Sequence, residues 1–356
     1  MTDTTVAAGL KQQNWDKKFF KEYLEANRFK REMGTSPNNI IQMKSDLTKK
    51  KGDSVTFSLI NRLTGPGVIG SSTLEGNEEA MDSRSFKLVV NKIRNAVRVA
   101  EIDEQYSALD LRNAAKPILM DWMMEKTRDD IITAMGMING VAYGSASEAQ
   151  KDAWLVDNTD RVLFGTGVGS GTDHDADLGL VTAAMTLSAA GVSRLRRMAL
   201  SASPKIRPVR VSEDERWFVL YTDTRCFRDL KADTTIAQAN REAWTRGRDN
   251  PIFSAGDLLY DGVIIKEIPD IASLGTVGAS SAPVSPAYLC GAQAIGVAYA
   301  KKSTTKTEEF DYGDKVGCAV EEIRGIEKMV FGSGSTDTAD LKDHGIVTGY
   351  FGAAAD

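Results

Sequence analysis

The side chains best equipped for chemistry in this chain are glycine-flanked hydroxyls, aspartates and two histidines, and their spacing limits what each could do. Gly165-Thr-Gly-Val-Gly-Ser-Gly-Thr172 has the glycine density of a loop that cradles phosphate. A phosphate loop needs Lys-Ser/Thr after its last glycine, and Thr172-Asp173 follows here. A dinucleotide fingerprint needs glycine three places after Gly167, where Ser170 stands, and Asp173, Asp175 and Asp177 would repel phosphate. The cluster reads as a flexible loop. The three aspartates open like a calcium loop, but Leu178 replaces the sharp-turn glycine at the sixth position and Ala184 the bidentate acid at the twelfth. An adventitious surface cation is the most they suggest.

Nucleophilic and acid–base chemistry is no better supplied. Gly332-Ser-Gly-Ser335 and Gly169-Ser-Gly171 both depart from Gly-x-Ser-x-Gly. His344 stands near Asp340 and Asp343 and could form a dyad; in a polar loop before a terminal strand it reads as a capping or surface histidine. Cys226, Cys290 and Cys318 are odd in number and far apart, so they read as small buried hydrophobes rather than a disulfide framework or a zinc site. Glu78-Glu79 and Glu321-Glu322 are pairs too common to signal catalysis, and the first lies in a polar, solvated stretch. Arg194, Arg196 and Arg197 could line a shell interior, but pairing with carboxylates is the default reading. No catalytic residue, cofactor or metal ligand is expected, and the chain is expected not to be an enzyme.

The elements that position these residues follow from composition and periodicity. A length of 356 residues suggests about two domains of ~150 residues. With 42% hydrophobic and 26% charged residues the chain is built to fold. No run approaches the ~18 apolar residues of a membrane span, and Met1 to Lys18 lacks the apolar stretch of a secretion signal, so synthesis in a cytoplasm is expected. The net charge of -5 is uneven: residues 1–52 carry eleven Lys/Arg against six Asp/Glu, a balance of +5 that leaves -10 on the remainder. A basic arm on an acidic body suggests contact with something acidic: nucleic acid, a scaffold or a neighbouring copy. Within it, Trp15, Phe19, Phe20, Tyr23 and Leu24 form an apolar stripe on a short helix, which needs a surface to bury against.

Alternation predicts a strand at 55–59 and an extended run at 86–99, separated by residues too many for a tight hairpin turn, including the acidic Leu74-Glu-Gly-Asn-Glu-Glu-Ala80. This pattern suggests an excursion that leaves the domain and returns. A long helix is expected over 103–138, interrupted or kinked at Pro117 and stopped by Asn139-Gly140. Residues 140–180 read as loop-rich. Beyond them come a helix within 178–200, strands at 206–211 and 217–221, helix near 223–247 and a strand at 263–268. Residues 291–300 read as a buried strand or a small-residue helix. A polar loop at 332–343 precedes a last strand at 345–351. Helices and strands mix without βαβα alternation, so the class is α+β.

At residues 50–130 a family resemblance enters. Lys51-Gly-Asp-Ser-Val-Thr-Phe-Ser-Leu59, Leu63-Thr-Gly-Pro-Gly-Val68 and Thr73-Leu-Glu-Gly-Asn-Glu-Glu-Ala80 resemble tailed-phage major capsid proteins of the N-four-like branch. Ile93-Arg-Asn-Ala-Val-Arg-Val99, Asp103-Glu-Gln105, Asp110-Leu-Arg112 and Arg161-Val-Leu-Phe164 continue the series. So do Ile206-Arg-Pro208, Asn250-Pro-Ile-Phe253, Tyr260-Asp-Gly-Val263, Leu289-Cys-Gly-Ala-Gln293 and His344-Gly-Ile-Val347. Each is weak alone; their order over most of the chain, from about residue 15, is what carries the resemblance.

That family resembles the Hong Kong 97 type of capsid fold, which implies an assignment of parts. Residues 1–50 would be an N-terminal arm, 51–100 an extended loop over a neighbour, and 101–204 a peripheral domain with the long spine helix. Residues 205–315 would form an axial domain, and 316–356 would return to the peripheral domain and form the tail. The implied function is self-assembly as hexamers and pentamers into the icosahedral head of a tailed bacteriophage around double-stranded DNA. Implied partners are copies of the chain, scaffold and portal proteins, a decoration protein and non-specific DNA on the interior, with no membrane. The implied location is the virion, with the host cytoplasm during assembly. Trp15, Phe19, Phe20, Glu75, Glu78 and Glu79 are the subunit-contact candidates. Competing readings are a nanocompartment shell enclosing a cargo enzyme, a soluble enzyme, and a monomeric binding or decoration protein.

Overall fold

The computed structural model describes residues 28–45, 47, 52–63, 65, 67–70, 73–79, 81, 83–107, 110–210, 216–244, 258–333 and 337–354. The strands are β1 (Met33–Gly34), β2 (Ile41–Lys44), β3 (Ser54–Ile60), β4 (Ser83–Val89), β5 (Asn91–Ala100), β6 (Val162–Phe164), β7 (Val209–Arg210) and β8 (Arg216–Thr222). They continue as β9 (Leu258–Tyr260), β10 (Val263–Glu267), β11 (Val284–Cys290), β12 (Ile295–Phe310), β13 (Lys315–Lys328), β14 (Val330–Ser333), β15 (Ala339–Asp343) and β16 (Ile346–Gly352). The helices are α1 (Glu101–Tyr106), α2 (Leu111–Met135), α3 (Glu148–Asp157), α4 (His174–Leu178), α5 (Ala189–Ser201), α6 (Thr224–Ala232) and α7 (Thr234–Trp244). The chain forms two compact units. One holds residues 92–127 and 302–323; the other holds 28–91, 128–301 and 324–356.

The larger unit is organised by a mixed sheet in the order β6-β16-β11-β8-β10-β9, with β7 on β8. Every residue of β11 and β16 is buried, because helices cover both faces of the sheet. Period-two alternation divides β8 between two cores. Phe218 and Leu220 join Val192, Leu195 and Ala199 of α5 and Phe227 and Leu230 of α6. Val219 and Tyr221 join Ile131, Ala134 and Met135 from the end of α2, together with Phe29. Each fully buried Leu or Val here is worth roughly 1.5–3 kcal/mol. Side-chain caps set the helix starts: Ser188 accepts from the Gly191 amide and Asp223 from the Cys226 amide at 2.8 Å.

The smaller unit packs Ala115, Leu119 and Met123 of α2 on Cys318 and Val320 of β13, with Ile93 and Trp122 at the margin. The four-residue steps put these helix residues on one stripe.

Several expectations change in detail. The long helix divides into α1 and α2, and α2 runs uninterrupted through Pro117. It ends at Met135, before Asn139-Gly140. Those two residues instead take positive φ (47° and 85°) between Ile138 and Val141, whose amides and carbonyls exchange bonds of 2.8 and 2.9 Å. That geometry is the two-residue turn Asn-Gly favours. The loop-rich reading of 140–180 missed α3, whose Ser147/Gln150 capping box and buried Trp154 and Leu155 mark it as a packed element. The helix near 223–247 is two helices separated by Asp233, and residues 295–310 are strand. The polar loop at 332–343 contains β15, which pairs with β14.

Candidate assembly surfaces

The excursion expected between 59 and 86 leaves from a two-stranded antiparallel hairpin. β3 and β4 pair from Ser54↔Val89 to Ile60↔Ser83. At the base the hairpin is tied down. Val55, Phe57 and Leu88 are buried with Ala298, Met329 and Phe331. The Phe86 ring lies 6.2 Å from both Phe57 and Phe331, and the Lys44 ammonium sits 4.1 Å from the Phe57 ring centroid. Asp337 accepts from the Ser85 amide and hydroxyl at 3.1 and 2.7 Å. Gly325 permits this close docking: a Cβ there would stand 2.1 Å from the Val89 carbonyl oxygen.

Past Ile60 this changes. Ile60, Leu63, Ile69, Leu74 and Met81 are all more than half exposed, Ile69 at 84%. The sequence reading passed over them because they have no periodicity. Their common signal is apolarity in a loop that, among the described residues, leaves them uncovered. The acidic candidates lie in the same loop. Glu75, Glu78 and Glu79 are exposed; Glu78 accepts from the Gly76 amide and Glu79 from the Gly65 amide, both at 2.7 Å. Trp15, Phe19 and Phe20 lie outside the described residues. A second exposed apolar set, Ile118, Met120 and Met124, lies on α2.

The glycine cluster is built around an internal acid. Asp177, buried, accepts from the Ser170 and Gly171 amides at 2.6 and 2.7 Å. Gly167, Gly169 and Gly171 have φ of 97°, 106° and 73°, and a Cβ on Gly169 would stand 2.4 Å from the Asp177 carboxyl carbon. The loop that resembled a phosphate cradle thus spends these amides on its own carboxylate. The three aspartates point to three tasks: Asp173 caps α4 through the Ala176 amide, Asp177 holds the loop, and Asp175 turns to Glu148 and Lys151.

Glu148, His174 and Asp175 come close enough to hold a metal ion, as do Glu148, Asp152 and Asp173. The Lys151 ammonium already serves the first group, 3.3 Å from Glu148 and 3.7 Å from Asp175. Asp152 is taken by the His174 amide at 2.7 Å. The His174 ring is enclosed by Tyr143, Trp154, Phe164 and Tyr350, and burial lowers its pKa.

His344 is not the capping or surface residue expected. Its ring packs edge-on against Phe331 at 5.0 Å; burial, then Arg161 and Arg207, push its pKa down to about 4. Asp343 turns away to a buried ion pair with Lys328 at 2.7 Å and accepts from the Trp154 indole at 3.1 Å. Of the arginine cluster, Arg196 pairs with Asp261 at 2.8 Å, while Arg194 donates to the Thr166 carbonyl. The three cysteines are free and buried, as expected.

Residues 3–354 match a family described as phage capsid protein. The chain is 28% identical over 358 residues to the major capsid protein of Pseudomonas phage KPP25, covering 95% of this chain and 94% of that one. The capsid subunit of cyanophage Pam1 superposes with a TM-score of 0.90 at 36% identity, covering all of both chains. The capsid protein of Ralstonia phage GP4 shares the fold with a TM-score of 0.77 at 22% identity, covering 99% of each chain.

Proposed function

This chain belongs to the phage capsid protein family, and from that premise we propose that it is the shell subunit of a tailed-phage head, assembling as hexamers and pentamers around double-stranded DNA. The fold is the α+β fold of Hong Kong 97 type shared by phage capsids. The observation that carries the reading is full-length likeness, at 36% identity, to a protein that builds a capsid. The excursion at 61–82 supports it: a subunit that closes a shell with its copies needs apolar surface that its own fold leaves uncovered.

Within this proposal residues 1–50 are the arm, 51–100 the extended loop, and α2 the spine of the peripheral domain. The axial domain draws on 205–301, while 302–315, first assigned to it, group with α2 in the smaller unit. It also takes in the last strand, because β16 pairs with β11 from Val284↔Gly352 to Cys290↔Ile346, which amends the assignment of 316–356. Trp15, Phe19 and Phe20 anchor on a neighbour, and Glu75, Glu78 and Glu79 contact a second copy. Scaffold, portal and decoration proteins are the further partners, the virion is the destination, and the subunit performs no catalysis.

Size exclusion followed by negative-stain electron microscopy of the full chain tests the proposal. Closed shells or rings of five and six subunits are expected. A compact monomer at high concentration, with crowding agents present, would overturn it.

A further inference from the structure

We propose that the cavity between the end of α2, the 142–144 segment, the 270–274 loop and strands β11 and β16 binds a small organic ammonium ion with an apolar body. This inference goes beyond the shell reading and does not depend on it. The cavity measures 320 Å³ and lies wholly within the larger unit. Asp129, Ile132 and Thr133, at helical steps of three and four, form one wall together with Gly136. Ile132, Ile271, Leu274 and Pro286 make the lining mainly apolar.

Three phenols carry the argument. Tyr143, Tyr288 and Tyr350 all line the cavity, the last two only 7% and 3% exposed. No hydrogen bond joins any of their hydroxyls to another described residue. A buried hydroxyl left without a partner costs about 1–3 kcal/mol, so the three point to a ligand that satisfies them. Gly136 keeps the space. Its φ lies outside the left-handed region, so the backbone does not require glycine there; a Cβ would stand 2.8 Å from the Tyr288 hydroxyl oxygen.

Charge selects the class of ligand. The charged residues lining the cavity are Asp129 and Asp270. Buried Arg128 reaches them at 3.3 and 3.2 Å, one cation for two acids, so the local field favours a positive guest. Burial raises the pKa of Tyr288 and Tyr350, so both phenols stay neutral and offer oxygens that accept from N–H groups. An ammonium ion meets both demands, and its hydrocarbon part would lie against Ile132, Ile271 and Leu274. A carboxylate guest would face two acids, and a plain hydrocarbon would leave three hydroxyls unsatisfied.

Saturation-transfer NMR on the full-length chain tests the proposal with three probes of similar shape: 2-phenylethylammonium, 2-phenylethanol and phenylacetate. The ammonium is expected to bind about tenfold more tightly than the alcohol, and the carboxylate most weakly. Asp270→Asn should reduce the preference for the ammonium to about threefold or less. Tyr288→Phe removes a hydroxyl with no protein partner, so it should weaken ammonium binding about threefold and leave the melting temperature within about one degree of the unmodified chain. Should Asp270→Asn fail to fold, weakening of the ammonium alone as salt rises from low to physiological concentration replaces it. Binding of the alcohol or the carboxylate as tight as that of the ammonium would overturn the assignment. So would unchanged binding in Tyr288→Phe, or no saturation transfer to any of the three probes at millimolar concentration.

Discussion

Two loops of this molecule are punctuated by glycine and held by carboxylates, yet they do opposite things. In the loop at 165–171 the acid is Asp177, buried, with two amides at 2.6 and 2.7 Å. In the loop at 61–82 the acids are Glu78 and Glu79, exposed, each taking one amide at 2.7 Å. Burial is the difference that matters. A carboxylate out of water must be satisfied by the fold, so the first loop turns inward and becomes structure. A carboxylate in water is bound weakly by its loop, and the second loop leaves its charge and its apolar side chains exposed.

The largest effect expected from this contrast follows Asp177→Ala. The substitution removes the acceptor for the Ser170 and Gly171 amides and should cost about 3 kcal/mol in chemical denaturation of the unassembled chain. Glu79→Ala, which frees one exposed amide, should cost less than about 0.5 kcal/mol. Equal costs would show that the two loops are held alike and would break the comparison.

The same distinction between buried and solvated groups sets the acid response. His344 has its pKa depressed from the ordinary 6.5 to about 4, chiefly by burial, and burial lowers that of His174 as well. Unfolding lets the His344 ring take up a proton in the interval between the two values, and His174 acts in the same direction. The stability is therefore complete above about pH 6.5 and lost as pH falls toward 4. From pH 7 to pH 5 the His344 share is about 2 kcal/mol. Melting curves of the chain and of His344→Gln at the two pH values check this; an unchanged slope in the variant would show that His344 is solvated like the loop acids.

How far the sequence disclosed these features depended on the range of the interaction. Alternation in 55–59 and the length of the stretch after it were enough to expect a strand and an excursion. The failed phosphate pattern was legible because Thr172-Asp173 stands where Lys-Ser/Thr was needed. That Asp177 would fill the loop was not, since a carboxylate's target six or seven residues away depends on where α4 starts. His344 was misread because the burial of its ring comes from Phe331, across a strand pair that polar residues at 332–343 disguised. α3 was missed because its mixed composition hides the face that Trp154 and Leu155 bury.

The smallest effect on the isolated subunit is the most informative about assembly. Ile69, at 84% exposure, makes little use of its own fold, so Ile69→Ser should leave the melting of the monomer unchanged to within about 0.5 kcal/mol. If the loop is buried by a second copy, the same substitution removes apolar area at every equivalent contact of the shell. A loss of about 1 kcal/mol per contact lowers each pairwise affinity roughly fivefold. Because a closed shell repeats that contact many times, the critical concentration for assembly, read by sedimentation, should rise by more than the single-contact factor. Val55→Ser, at the buried base of the same hairpin, should do the reverse and destabilise the monomer first. If both substitutions acted on the monomer alone, the exposed apolar side chains would have no partner, and the contrast between the two ends of the hairpin would lose its meaning.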